Sequence, residues 1–132
     1  MHAGLYDGNP RARELVWIML ANRAARGLAS LHVQVNEWSL EQAGQFHARW
    51  TPRGWARAGD RLTAFEQLLY LRQPGYGTSY ITGKLLLDRM MMEASEADER
   101  RGTPFRLRDF LSRFNDAGMI PTLLMEDELV GP

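Results

Sequence analysis

Apolar positions along this chain recur at three- and four-residue steps, and no segment alternates apolar and polar residues as a strand does. Asn9-Pro10 reads as a helix start, with Asn9 as cap and Pro10 in the first turn. The helix it opens runs over about 10–31. Trp17, Leu20, Ala24, Leu28 and Leu31 form one stripe on it, and Ile18, Ala21 and Ala25 form a neighbouring one. Two stripes on one helix predict contact with more than one partner. The small residues Ala21, Ala24, Ala25 and Gly27 would let those partners approach closely. Ser39-Leu40-Glu41-Gln42 fits a capping box ahead of a helix over 40–49 with Leu40, Ala43, Phe46 and Trp50 on its apolar side. Thr51-Pro52-Arg53-Gly54 breaks that helix.

Asp60 is placed to cap a third helix with Leu62, Phe65, Leu68 and Leu69 as its apolar face, and Pro74-Gly75 ends it. A fourth helix over about 77–97 carries Ile81, Leu85, Leu87, Met91 and Met92. Ser79 and Gly83, four apart on it, form a small patch. A helical glycine costs ~1 kcal/mol against alanine, so close packing against another backbone is expected there. Residues 93–103 read as a solvated helix end and loop. A fifth helix opens at Phe105 and stops at Ala117-Gly118, with Gly118 in the left-handed position after the helix. Met119-Ile120-Pro121 starts a short last helix or turn with Leu123, Leu124 and Leu129. The expected fold is all-α, a compact array of five to six helices in one domain spanning 1–132. No hairpin turn pair and no internal repeat alters that picture.

Composition narrows the function classes more than it names one. The 132 residues are 45% hydrophobic and 24% charged, enough for a buried core without staples. Sixteen basic residues balance sixteen acidic ones, which gives no net field for nucleic acid or an anionic membrane. The absence of cysteine excludes disulfides, thiolate metal sites and a cysteine nucleophile. No apolar run approaches the ~20 residues of a membrane span. Neither a basic nor an apolar leader is visible at the N-terminus, so a cytoplasmic location is expected.

Three groups of residues could carry chemistry. The histidines are His2, His32 and His47; none belongs to an HExxH pair, and no metal site is expected. His2 reads as a terminal residue, and His32 and His47 as surface or partly buried polar groups. Trp50 and Trp55 with Arg49, Arg53 and Arg57 mix aromatics with positive charge, as nucleic-acid surfaces do. With zero net charge and no recognition motif, tryptophans anchoring a loop to the core among solvated arginines is the favoured reading. Tyr70, Tyr76 and Tyr80 flank the Pro74-Gly75 elbow, where a phenol hydroxyl could donate to a developing oxyanion or simply pack with its hydroxyl in water. Lys84 and Asp88, one turn apart, are expected to pair at the surface.

The segments Arg23-Ala24-Ala25-Arg26-Gly27-Leu28-Ala29-Ser30-Leu31 and Glu37-Trp38-Ser39-Leu40-Glu41-Gln42-Ala43 resemble the C-terminal region of the bacterial domain of unknown function 885 family. So do Tyr70-Leu71-Arg72-Gln73-Pro74-Gly75-Tyr76-Gly77-Thr78-Ser79-Tyr80-Ile81-Thr82-Gly83-Lys84 and the ending Phe105-Arg106-Leu107-Arg108-Asp109-Phe110 with Ala117-Gly118-Met119-Ile120-Pro121. The likeness covers about residues 5–131 in one order, and the 70–84 segment is its most specific piece. That family looks like helical zinc peptidases of the gluzincin kind, whose HExxH helix and further glutamate ligand precede the region matched here.

The resemblance implies the back wall of such a catalytic domain without its zinc centre. Zinc would then come only with ligands supplied by a partner. Tyr80 is the first candidate for an oxyanion-supporting group and Tyr76 the second; Tyr70, Arg72 and Lys84 are the candidate substrate-binding side chains. The chain departs from the family at Ser30, where an acidic residue is expected, and at Gln34, where a histidine is. Those exchanges remove the charge and the proton partner that would orient a metal ligand.

Two functions follow as expectations. One is a non-catalytic binding or interaction module. The other is a C-terminal fragment or split subunit of a zinc metallopeptidase whose HExxH half lies on another polypeptide. A likeness of helical packing alone is a third possibility, against which the length of the 70–84 match argues. Expected partners are a second copy of the chain or the missing peptidase-like chain, with no nucleic acid and no membrane.

Overall fold

The computed structural model describes residue 4 and residues 6–130; the expectation for His2 lies outside them. Among the described residues there are six α-helices and no strand: α1 Pro10–Gln34, α2 Leu40–Trp50, α3 Arg61–Arg72, α4 Tyr76–Arg100, α5 Leu107–Asp116 and α6 Thr122–Val130. The fold is all-α. No helix among the described residues is long and apolar enough to cross a membrane.

Local chemistry sets most of the boundaries. The Asn9 side chain accepts from the Ala12 amide at 3.1 Å, and Pro10 fills the first helical position, where no amide is needed. The capping box of α2 is complete: Ser39 Oγ accepts from the Gln42 amide at 3.2 Å, and Gln42 Oε1 accepts from the Ser39 amide at 2.8 Å. A short 3₁₀ turn, Pro52–Gly54, follows α2. Asp60 stands at the cap of α3 but its side chain makes no capping bond. Gly75 and Gly118 take φ of +82° and +80°, as residues that reverse a chain after a helix must. The first helix runs three residues beyond the expected end, and α5 starts at Leu107 rather than Phe105.

The chain divides into two units, one ending at Ile81 and one beginning at Thr82, with α4 continuous through the boundary. In the first, α1 packs on α2 and α3. The core there is built from small side chains: Ala29, Val33 and Ala43, with Trp38 and Phe46 against them. Ile18 and Ala25 are buried on the same side of α1. The other expected stripe, Trp17, Ala24, Leu28 and Leu31, is exposed.

The expected face of α2 holds at Ala43 and Phe46, which take the core, but not at Leu40 and Trp50, and that of α3 is turned outward. Trp50 and Trp55 do not anchor a loop; both are exposed. On α3 the buried residues are Thr63, Gln67 and Tyr70, while Leu62 and Phe65 stand 64% and 61% exposed and Leu68 is also exposed. The polar edge of that helix is needed inside, where it meets a buried histidine. Its leucine face is therefore rotated out.

In the second unit the later turns of α4 pack with α5 and α6 around Met90, Ala94, Phe110, Met125 and Leu129. Leu87 and Met91 border this core; Leu85 and Met92 are exposed. The predicted close approach at Gly83 is absent: a Cβ there would meet nothing within 4 Å among the described residues. The tight contact lies in the first unit instead, at Gly77, where α4 begins against α1.

Candidate functional site

A polar cluster lies inside the first unit. His47, on α2, is fully buried. Asn22 of α1 donates to its Nε2 at 2.9 Å and reaches Thr51 Oγ1 at 3.4 Å, while the Thr51 hydroxyl donates to the His47 carbonyl at 2.8 Å. With Nε2 accepting, the ring proton sits on Nδ1. Gln67 Nε2 lies 3.4 Å from Nδ1, while its Oε1 is buried with no hydrogen-bond partner among the described residues. Turning the amide so that Oε1 faces the ring lets it accept from the Nδ1–H. Burial, and secondarily the Arg26 charge, push the His47 pKa down to about 4, so the ring is neutral at pH 7.

Glu66 links this core to the surface. Its Oε2 is 4.0 Å from His47 Nδ1, and its Oε1 accepts from the Arg26 guanidinium at 2.7 Å. The same guanidinium lies 5.6 Å from the Tyr70 ring centre and 5.8 Å from that of Tyr80. Arg23, one turn earlier on α1, lies 5.3 Å from the Tyr80 ring. Tyr70 and Tyr76 stack at 5.8 Å, and Tyr76 meets Tyr80 edge-on at 5.6 Å with their hydroxyls 2.9 Å apart.

The structure thus brings Tyr70, Tyr76 and Tyr80 together at the elbow. It adds Arg23, Arg26 and Glu66, which inspection of the elbow alone missed. Their one signal in the sequence is register: Arg23 and Arg26 are three apart on α1, and Tyr76 and Tyr80 four apart on α4, so each pair shares a helix face. Arg72 is exposed at the last position of α3 and joins none of these contacts. Lys84 pairs with Asp88 one turn on, in the second unit.

Chemically, the cluster is a set of donors. Burial raises the Tyr70 pKa, and the hydrogen bond and charge of Tyr80 raise that of Tyr76. Both phenols therefore stay protonated at neutral pH. His47 is the right type for a general base but is sealed from solvent with both ring nitrogens engaged. The expectation of a surface or partly buried His47 is corrected accordingly. His32 is instead half-buried, stacked on Trp38 at 4.0 Å and bonded to Glu37 at 2.6 Å. Among the described residues no three His, Cys, Asp or Glu side chains are grouped to hold a metal.

Ser30 and Gln34, singled out in the sequence, have packing duties. Ser30 is buried, donates to the Gly27 carbonyl at 2.8 Å, and lies where a Cβ on Gly77 would come within 2.5 Å of its Oγ. Gln34 Nε2 donates to the Tyr70 and Leu71 carbonyls at 2.8 and 3.1 Å. Those carbonyls are in the last turn of α3 and have no helical partner of their own. An open groove of about 500 Å³ lies elsewhere, between α2 and α3, lined by Leu40, Glu41, Gly44, Gln45, Ala58, Gly59, Thr63 and Ala64; no tyrosine of the elbow lines it. No family model, curated protein or solved structure matches this chain.

Proposed function

We propose that this chain is a non-catalytic helical module that acts by binding another polypeptide, descended, as its resemblance implies, from the C-terminal lobe of a zinc-peptidase-like domain. One observation carries the reading: α3 holds Thr63 and Gln67 inside and presents Leu62, Phe65, Leu68 and Leu71 outside. Burying such a side chain contributes ~1.5–3 kcal/mol, so a helix that leaves four of them exposed offers a surface for a partner. The groups with chemical capacity are meanwhile committed inward, His47 to Asn22 and Gln67, Glu66 to Arg26. Elemental analysis and a peptidase assay on the purified chain test the reading. Substoichiometric zinc and no hydrolysis are expected; tight stoichiometric zinc, or zinc-dependent cleavage of a denatured protein by the chain alone, refutes it.

A second reading, the split zinc peptidase, is favoured by the exposed Tyr76–Tyr80 hydroxyl pair beside Arg23 and Arg26. Phenol donors and guanidinium groups at an open surface suit a developing oxyanion. In that reading an HExxH-bearing chain encoded nearby restores hydrolysis in the complex. Tyr80→Phe then lowers kcat about 10²-fold, the usual size for losing one oxyanion donor. Unchanged turnover removes the role of Tyr80.

A further inference from the structure

The outward face of α1 carries a second periodicity that its packing against α2 and α3 does not use. On α1, Trp17, Ala21, Ala24, Leu28 and Leu31, with Val35 at the cap just past its end, follow steps of four, three, four, three and four, the seam of a coiled coil. Ile18, Ala25, Ala29 and Val33, on the buried side of the same helix, make its intramolecular core. Trp17, Leu28, Leu31 and Val35 are 56%, 48% or less for the two leucines, and 61% exposed, and Ala24 is exposed beside them. No charged residue occupies any of the six positions. The seam runs about 27 Å at ~1.5 Å per residue, the contact length of a short two-helix coil.

We propose that this seam pairs with the same seam of a second copy, antiparallel, in a two-fold homodimer; the inference rests on the interaction-module reading and adds to it a contact face on α1, separate from the α3 one. The seam is complementary to its own reverse. About a centre between Ala24 and Leu28, Ala24 meets the second copy's Leu28, Ala21 meets its Leu31, and Trp17 meets its Val35. Each alanine then faces a leucine, so every inner layer sets a small side chain against a large one. A parallel pair would set leucine on leucine and alanine on alanine, leaving crowded and empty layers in turn. Charge favours the same direction. At the start of the seam stand Arg11, Arg13 and Glu14, the last paired with Arg53, and Glu37 follows its end. Antiparallel pairing brings basic ends to acidic ends, and parallel pairing brings like to like. A closed two-fold contact of this kind satisfies the seam without building filaments.

Light scattering on the full chain over a range of concentration reads the outcome directly. The mass is expected to rise from 15.1 kDa toward twice that value as concentration increases. Leu28→Glu with Leu31→Lys, both at exposed positions, should hold the protein at the monomer mass with helical content unchanged. Direction is read by crosslinking, which is clean because the chain has no cysteine. A mixture of Ala24→Cys and Leu28→Cys chains should form the mixed disulfide under a glutathione buffer, and Ala24→Cys alone should not crosslink. A monomer at every concentration overturns the dimer. A dimer that survives the Leu28, Leu31 variant but is lost in Leu62→Glu with Phe65→Glu overturns the α1 seam. Crosslinking of Ala24→Cys to itself overturns the antiparallel direction. None of these results depends on zinc or hydrolysis, so failure of the dimer is separable from failure of the interaction-module reading.

Discussion

A methyl group added at Gly77 sets helix propensity against packing. Alanine is favoured over glycine in a helix by up to ~1 kcal/mol, and Gly77, in the first turn of α4, would gain less than the full amount. Against this, the new Cβ would lie 2.5 Å from Ser30 Oγ, 2.9 Å from Ser30 Cβ and 3.4 Å from Tyr70 Cγ. Ser30 cannot swing clear, because it is buried and its hydroxyl is bonded to the Gly27 carbonyl. Gly27 itself tolerates no displacement toward α4, since a Cβ there would already stand 3.0 Å from the Gly77 carbonyl oxygen. The helices must part, and overpacking of this kind costs ~1–3 kcal/mol. Gly77→Ala is therefore expected to lower stability by ~1–2 kcal/mol, several degrees in Tm. Gly83→Ala on the same helix, where the Cβ meets nothing, is expected to raise it by up to ~1 kcal/mol. Urea denaturation followed by circular dichroism measures both. Ser30→Gly in the Gly77→Ala background makes room for the methyl group, so the double-mutant cycle should show a coupling of ~1 kcal/mol or more. If Gly77→Ala proves as stabilising as Gly83→Ala, the close crossing of α1 and α4 is wrong.

Three further outcomes follow from the polar cluster. In the folded chain His47 stays neutral to about pH 4, whereas the unfolded chain takes up that proton near the ordinary value of 6.5. Its contribution is thus complete above pH 6.5 and declines as pH falls from 6.5 to 4. The loss is ~3 kcal/mol, and the difference in unfolding free energy between wild type and His47→Gln across that window should show it. Glu66→Gln removes the charge facing Arg26 in a largely screened-from-water site and should cost ~1–2 kcal/mol by chemical denaturation, with non-additivity against Arg26→Met. Gln34→Ala leaves two carbonyls at the end of α3 without their side-chain donor and should cost ~1–2 kcal/mol, with faster amide exchange at residues 70–73.

The sequence by itself determined the class of structure and most helix limits, because caps, prolines and glycines act on their immediate neighbours. Asn9-Pro10, the Ser39–Gln42 box, Gly75 and Gly118 are read correctly without any knowledge of what packs where. It also placed Tyr76 and Tyr80 on one face of a helix, four apart, with Tyr70 just across the Pro74-Gly75 elbow. Which face of each helix turns inward was a tertiary decision. The apolar stripe of α3 looked like a core face, yet the helix turns Gln67 toward the buried His47 and Thr63 toward Gly44, and its leucines face out. The same competition left the Trp17–Leu31 stripe of α1 outside while Ile18, Ala25, Ala29 and Val33 took the core. Periodicity reports that a helix has an apolar side; when two sides qualify, only the surrounding chain, its hydrogen-bonding demands and its space for backbones such as Gly27 and Gly77, selects between them.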